Sequence, residues 1–269
     1  MPELPEVETV VRQLQKVVVG KTIQRVSIKD SKVIDKSVLK GLPNRIVALQ
    51  RRGKSIVFGL DDGTSLLAHL RMTGHFHYVS SDKRVRDTAH QQYLAGTFHL
   101  NDGSFFTFNE IRRFGGIRRL SSDELKSAFS RLGPEPLDAS FTLASFDALL
   151  QRFPAAIIKT KLMDQDFIVG IGNIYAQEAL YRAGIDPQRR IKEISGKKRE
   201  RLYHALRELL QQAIELNGTT IQNYSHIDGK GGFQDFLQVY QQEKCPRGHP
   251  IQKMSQAGRG TYHCGRCQT

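Results

Sequence analysis

The sequence predicts an α+β chain: an N-terminal antiparallel β-sandwich or barrel with a flanking helix, then a helical region ending in a cysteine-bearing tail. Three observations predict this. Apolar residues recur at helical spacing up to Val18, alternate in short runs from Ile23 to about Ile117, and return to helical spacing after Gly133-Pro134-Glu135-Pro136. Asp62-Gly63 and Asp102-Gly103 each separate two alternating runs, the signal of a β-hairpin. All three cysteines, Cys245, Cys264 and Cys267, fall within the last 25 of 269 residues.

Taken in order, residues 5 to 18 read as an amphipathic helix with Val7, Val10, Val11, Leu14 and Val18 on one face, stopped by Gly20. Ser55–Leu60 with Ser65–Leu70, and Thr97–Leu100 with Ser104–Phe108, are the hairpin strands. Ser80 to Gln92 is polar and reads as a mobile loop. The Gly-Pro-Glu-Pro stretch is a linker. Beyond it Thr142 caps a helix to Arg152, Ala155 to Asp164 continues helical, and Asn173 begins a helix to Ala183. Lys197 to Leu216 is the longest helix, closed by Asn217-Gly218. The expected divisions are 1–132, 133–240 and 241–269.

Apolar residues make up 39% and charged residues 25%, a globular composition with room for a substantial core. No apolar run approaches the roughly 20 residues of a membrane span, and the N-terminus lacks a signal-peptide pattern. The expected location is therefore the cytosol, on the nucleoid. A net charge of +13 favours a polyanionic partner, nucleic acid before membrane. Clustered cysteines in a reducing compartment favour metal over disulfides.

Six stretches carry candidate chemistry. Once Met1 is removed, Pro2 presents a secondary amine, with a reference pKa near ~8 for an α-amino group against roughly 10.4 for Lys. Such an amine attacks sugar carbonyl carbons by Schiff-base chemistry, with Glu3 and Glu6 as acid and base candidates. The same Pro-Glu-Leu-Pro-Glu run is also a good helix start. In the tail, Cys245 and His249 form one ligand pair and Cys264 and Cys267 the other, the layout of a structural zinc ribbon with one ion per chain. His263 is the rival for the fourth ligand. Gly170-Ile171-Gly172-Asn173 turns into a helix whose backbone N–H groups suit phosphate, with Asn173 as cap; it lacks the further glycine of a dinucleotide site, so no nucleotide cofactor is expected. Arg51-Arg52-Gly53-Lys54 offers Lys54 to a phosphate or reacting sugar. His69-Leu70-Arg71-Met72-Thr73-Gly74 and Ile111-Arg112-Arg113-Phe114-Gly115-Gly116 each set a large side chain just before glycine, where an apolar wedge can unstack a duplex. Arg259, between Gly258 and Gly260, can reach phosphate from the ribbon tip.

In number and order these stretches resemble the bacterial formamidopyrimidine-DNA glycosylases over nearly the whole chain. The resemblance implies a β-sandwich, a helix–two-turns–helix module and a zinc ribbon holding double-stranded damaged DNA. It implies excision of oxidised purines, 8-oxoguanine and formamidopyrimidines, followed by β,δ-elimination at the abasic site. By the same resemblance Pro2 is the nucleophile on the sugar C1′, Glu3 protonates the ring oxygen, Glu6 supports the site, and Lys54 contacts phosphate or base. Met72, Arg112 and Phe114 match the residues that fill the gap left by the flipped nucleotide; His69, Asn173 and Arg259 match phosphate contacts. Residues 225–232 match a cover over the everted base. A monomer suffices for this chemistry.

The chain departs from the family in several places, among them the absence of any Trp. Gly248-His249 stands for the usual ribbon cysteine, Tyr93-Leu94-Ala95 for a His-Asp-His stretch, and Glu110 for an Asp. Two other functions use much of the same pattern. An endonuclease VIII-like glycosylase for oxidised pyrimidines usually has Gly where Leu4 stands and a different wedge set. A non-catalytic damaged-DNA-binding protein needs the charge and the zinc, but not Pro2 beside its carboxylates.

Overall fold

The computed structural model describes residues 1–81, 93–219 and 231–269. The polar stretch expected to be mobile and the expected cover at 225–232 fall almost wholly outside them. The chain divides into two compact units, Met1–Ser130 with Asn217–Gly232, and Arg131–Leu216 with Phe233–Thr269.

The first unit opens with helix α1 (Leu4–Val18), one residue earlier than the periodicity predicts. Its apolar stripe of Val7, Val10, Val11, Leu14 and Val18 is wholly buried against the strands. Eight strands follow: β1 (Thr22–Ile28), β2 (Asn44–Arg52), β3 (Ser55–Leu60), β4 (Ser65–His69), β5 (His75–Val79), β6 (Leu94–Leu100), β7 (Phe105–Asn109) and β8 (Gly116–Leu120). They pair antiparallel in the order β5-β7-β6-β1-β2-β3-β4-β8. Between β1 and β2 the ladder narrows to Thr22↔Arg45 and Ile23↔Asn44, where the sheet folds over on itself. The inner faces meet through aromatics: Phe58 of β3 stacks on Phe106 of β7 at 5.8 Å and tilts against Phe76 of β5 at 5.7 Å. Each such fully buried side chain contributes about 1.5–3 kcal/mol. The sandwich is thus closed by the alternation that predicted it. Helix α2 (Ser122–Phe129) is an addition, started by a capping box in which Ser121 and Glu124 exchange bonds.

The second unit holds helices α3 (Leu143–Gln151), α4 (Ile158–Leu162), α5 (Asn173–Ala183) and α6 (Gly196–Glu215), with hairpin strands β9 (Gln252–Gln256) and β10 (Arg259–His263). Thr142 caps α3 as predicted, accepting from the Ser145 N–H. The continuous helix expected from Ala155 to Asp164 shrinks to α4. The Ile158 N–H bonds instead to the Arg189 carbonyl and Ile157 bridges Arg190, so these backbone groups pair across the chain before the helix starts. Ser195 caps α6, and left-handed Asn217 and Gly218 follow its end. No helix among the described residues is long and apolar enough to cross a membrane.

Candidate active site and metal centre

At the N-terminus of α1 the carboxylates tie the chain together. Pro2, Glu3 and Glu6 are all buried. The Glu3 N–H donates to Glu6 Oε2 at 2.8 Å, and Glu6 Oε1 accepts from both the backbone N–H and the hydroxyl of Thr219, each at 2.9 Å. Glu6 therefore ties the residue after Pro2 to a segment more than two hundred positions away. Thr219 was not legible in the sequence, because nothing local marks a Thr after Asn217-Gly218 as the partner of an N-terminal carboxylate.

Lys54 follows Gly53 in the two-residue turn between β2 and β3, where Gly53 takes a left-handed φ of 56°. A lysine at a hairpin tip is ordinarily solvated, yet Lys54 is 8% exposed. Arg51 fixes this turn by bonding Glu8 of α1 at 3.0 Å and the Gly53 carbonyl at 3.2 Å. Ser55, the next residue, pairs with His69 of β4, and His69 pairs with Gly116 of β8. Lys54, the residues after His69 and those before Gly116 thus share one end of three adjacent strands.

His69 is held neutral. Burial first, and then the charges of Arg71 and Lys54, push its pKa down to about 4. Its Nδ1 accepts from the Arg71 N–H at 3.0 Å, so the proton of the neutral ring sits on Nε2, which becomes a donor. Beyond it Met72, Arg112 and Phe114 are exposed, with Arg112 in contact with the other two. The Arg112 guanidinium lies 3.0 Å from Met72 Sδ and 5.0 Å from the Phe114 ring centroid. Phe114, at 59% exposure, is the most exposed of the large apolar side chains among the described residues.

Asn173 and Arg259 belong to the second unit. Asn173 is not the cap of α5: Gly172 is, and Asn173 is the first helical residue. Its side chain turns sideways instead. Nδ2 donates to the Gly260 carbonyl at 3.0 Å, and Oδ1 accepts from Lys159 Nζ at 2.8 Å. Lys159, 1% exposed, also donates to Thr261 Oγ1 at 2.7 Å. The glycine turn and the ribbon strand bearing Arg259 are thereby bolted together, with Arg259 exposed beside the bolt. Sequence reasoning missed Lys159; a lysine among the apolar residues of Ile157 to Leu162 was the only signal for it.

The ribbon brings together Cys245, His249, Cys264 and Cys267, with all four ligand atoms within 4.8 Å of one another. His249 Nδ1 lies 3.7, 3.8 and 3.3 Å from the sulfurs of Cys245, Cys264 and Cys267. The Cys245 and Cys267 sulfurs are 3.9 Å apart. Tetrahedral Zn–S and Zn–N bonds of about 2.3 and 2.0 Å place ligand atoms roughly 3.5–3.8 Å apart, so the residues fit zinc. Burial resists charge on Cys245, but donation from the Tyr181 hydroxyl and from the Arg247 and His249 backbones holds its thiol below the ordinary range, whereas burial and the neighbouring sulfurs push Cys267 up. His263 lies outside the cluster, buried in β10.

The sequence was also compared with known families. Residues 1–117 match the profile described as formamidopyrimidine-DNA glycosylase N-terminal domain, and 132–225 match that family's H2TH domain. Residues 242–269 match the zinc finger found in FPG and IleRS. The chain belongs to the formamidopyrimidine-DNA glycosylase family. A family member from Exiguobacterium is 40% identical over 280 residues, spanning 100% of this chain and 99% of that protein. Among solved structures, a Lactococcus lactis FPG mutant bound to DNA containing Fapy-dG is 34% identical, with a TM-score of 0.89 and 99% of each chain covered. A further mutant of that protein, in which Gly-His replaces a cysteine, is similar to the same degree in its complex with THF-containing DNA. The chain is accordingly a DNA glycosylase and abasic-site lyase with one structural zinc.

Proposed function

We propose that the enzyme excises oxidised purines, among them formamidopyrimidines and 8-oxoguanine opposite cytosine, through the amine of Pro2. The observation that carries this reading is the carboxylate clasp at the start of α1, in which Glu6 grips the Glu3 N–H and Thr219. It holds the Pro2-Glu3 pair rigidly, as a reacting amine and its proton donor require.

In this reading the Pro2 nitrogen attacks C1′ of the extruded nucleotide, and the C1′–N bond breaks with its electron pair leaving on the base. Glu3 protonates the ring oxygen, opening the sugar to an iminium. That cation is an electron sink: loss of a C2′ proton expels the 3′ phosphate, and a second elimination expels the 5′ phosphate. Lys54 and the Nε2–H of His69 hold phosphate on the first unit, with Asn173 and Arg259 on the second. Met72, Arg112 and Phe114 fill the stack. A few kcal/mol of unstacking is offset by these contacts, least for a damaged base. The chemistry needs one copy of the chain and no nucleotide, and its place is the nucleoid. The three functional divisions are 1–132, 133–240 and 241–269.

Borohydride reduction during turnover of a duplex containing 8-oxoguanine opposite cytosine should yield a covalent protein–DNA adduct at the N-terminal peptide. An unprocessed chain that retains Met1 should yield none, since its Pro2 nitrogen is an amide. Adduct formation at another residue, or with Met1 in place, would overturn the assignment.

A further inference from the structure

Two loops carry the exposed trio. The first, from Leu70 to Gly74, links β4 to β5; the second, from Glu110 to Gly115, links β7 to β8. Since β4 neighbours β8 and β5 neighbours β7, both cross between the two halves of the sandwich side by side. Each contains a non-glycine residue in the left-handed region, Arg71 at φ 50° and Arg113 at φ 56°. Such residues persist only where surrounding contacts hold them. Met72, Arg112 and Phe114 stand exposed on these loops, so their placement depends on what fixes the loops beneath them.

Glu110 occupies that place. It is 4% exposed, and its carboxylate is saturated by the two loops themselves. Oε1 accepts from the Thr73 hydroxyl and from the Arg112 N–H at 3.0 Å; Oε2 accepts from the Gly115 N–H at 3.0 Å. The Thr73 oxygen in turn accepts from the Arg112 N–H at 3.2 Å. One carboxylate therefore joins the residue after Met72 to both ends of the segment bearing Arg112 and Phe114. Gly115 permits the approach, because a Cβ there would strike Glu110 Oε2 and would lie 2.6 Å from the His69 carbonyl. A charged acceptor with three donors is the strong kind of hydrogen-bonded hub. Its backbone is held too, the Glu110 N–H donating to the Tyr93 carbonyl at 3.0 Å.

We infer that Glu110 is the positioning residue of the gap-filling trio, a buried carboxylate that sets Met72 against Arg112 and Phe114 so that they enter the duplex as one body. The inference rests on the proposed gap-filling role. It gives Glu110 no contact with DNA and no part in bond breaking. Loss of its charge loosens insertion and leaves the Pro2 chemistry in place.

The test compares two substrates. A duplex with 8-oxoguanine opposite cytosine, carrying 2-aminopurine beside the lesion, requires insertion, and the fluorophore reports unstacking. A single-stranded abasic oligonucleotide requires none. In Glu110→Gln one acceptor becomes a donor facing an N–H. The ratio of duplex excision to single-strand lyase rate should then fall by up to about 10²-fold, the effect of a displacement near 1 Å, and the 2-aminopurine transient should slow with it. Glu110→Asp, which keeps the charge on a shorter arm, should recover part of both. Thr73→Ala, which removes one tether, should lower the ratio less than Glu110→Gln. An unchanged ratio in Glu110→Gln, or an equal fall on both substrates, overturns the inference. Phe114→Ala and Met72→Ala separate the two layers: if neither lowers the ratio, the gap-filling reading itself is wrong; if they lower it and Glu110→Gln does not, only the positioning role fails.

Discussion

His69 shows how a neighbour chooses a tautomer. The Arg71 N–H occupies Nδ1, and burial beside Arg71 and Lys54 keeps the ring neutral down to about pH 4. In the proposed function, a neutral ring with Nε2–H gives phosphate a donor without adding a charge next to Lys54. Nitrogen-resolved NMR should therefore show the Nε2–H tautomer of His69, unchanged from pH 8 to pH 5. The stability consequence follows from the same shift. The folded pKa lies below the ordinary 6.5, so as pH falls the unfolded chain takes up the proton first. His69 should thus contribute its full stability above about pH 6.5 and lose it progressively toward pH 4. Urea midpoints across that window should fall less steeply in His69→Gln than in the parent; equal slopes would contradict the depressed pKa. Pro2, Lys54 and the exposed trio Met72, Arg112 and Phe114 could be singled out as candidates because each sits in a short distinctive run. Thr219, Lys159 and the role of Glu110 were not, since each is defined by partners far along the chain.

Hairpins and caps were the most legible elements, because their signals are local. Asp62-Gly63 and Asp102-Gly103 turn where predicted, and Thr142 caps α3. Local signals misled where distant backbone intervened. The Arg189 carbonyl takes the Ile158 N–H and shortens a predicted helix, and Asn173 leaves its cap to lock onto Lys159 and Gly260. The ribbon combines both cases. Cys-x-x-Cys fixed one knuckle from the sequence, whereas the choice between His249 and His263 needed the geometry that gathers His249 with three sulfurs. One zinc per chain should be found by elemental analysis of the purified protein. His249→Ala should lose it and His263→Ala should keep it, with release followed by a chromogenic chelator. The reverse pattern would move the fourth ligand to β10. Retention in both variants would point to a ligand outside the four.

Across the chain, a charge of +13 makes binding to DNA an ion-exchange reaction, in which each neutralised phosphate releases condensed cations. Only the cations aimed at phosphate contribute to the salt slope; the others add a diffuse attraction that salt screens over about 10 Å at 0.1 M. Many basic side chains are committed elsewhere. Arg51 holds Glu8, Arg113 holds Asp30, Arg119 holds Asp62, and Arg199 holds Asp147. Arg259 is exposed at the ribbon tip, next to the Lys159–Asn173–Thr261 bolt that fixes its strand. Arg259→Ala should therefore weaken binding to every duplex, damaged or intact, by a similar factor. It should also make the plot of log K against log salt shallower by about one unit. Phe114→Ala should do the opposite, cutting preference for damaged DNA with little change in slope, because an apolar wedge releases no counterion. Fluorescence anisotropy between 50 and 200 mM salt, with lesion and intact duplexes, reads both quantities. An Arg259→Ala slope equal to the parent's would remove Arg259 from the phosphate contacts and leave the ribbon a zinc-stapled spacer.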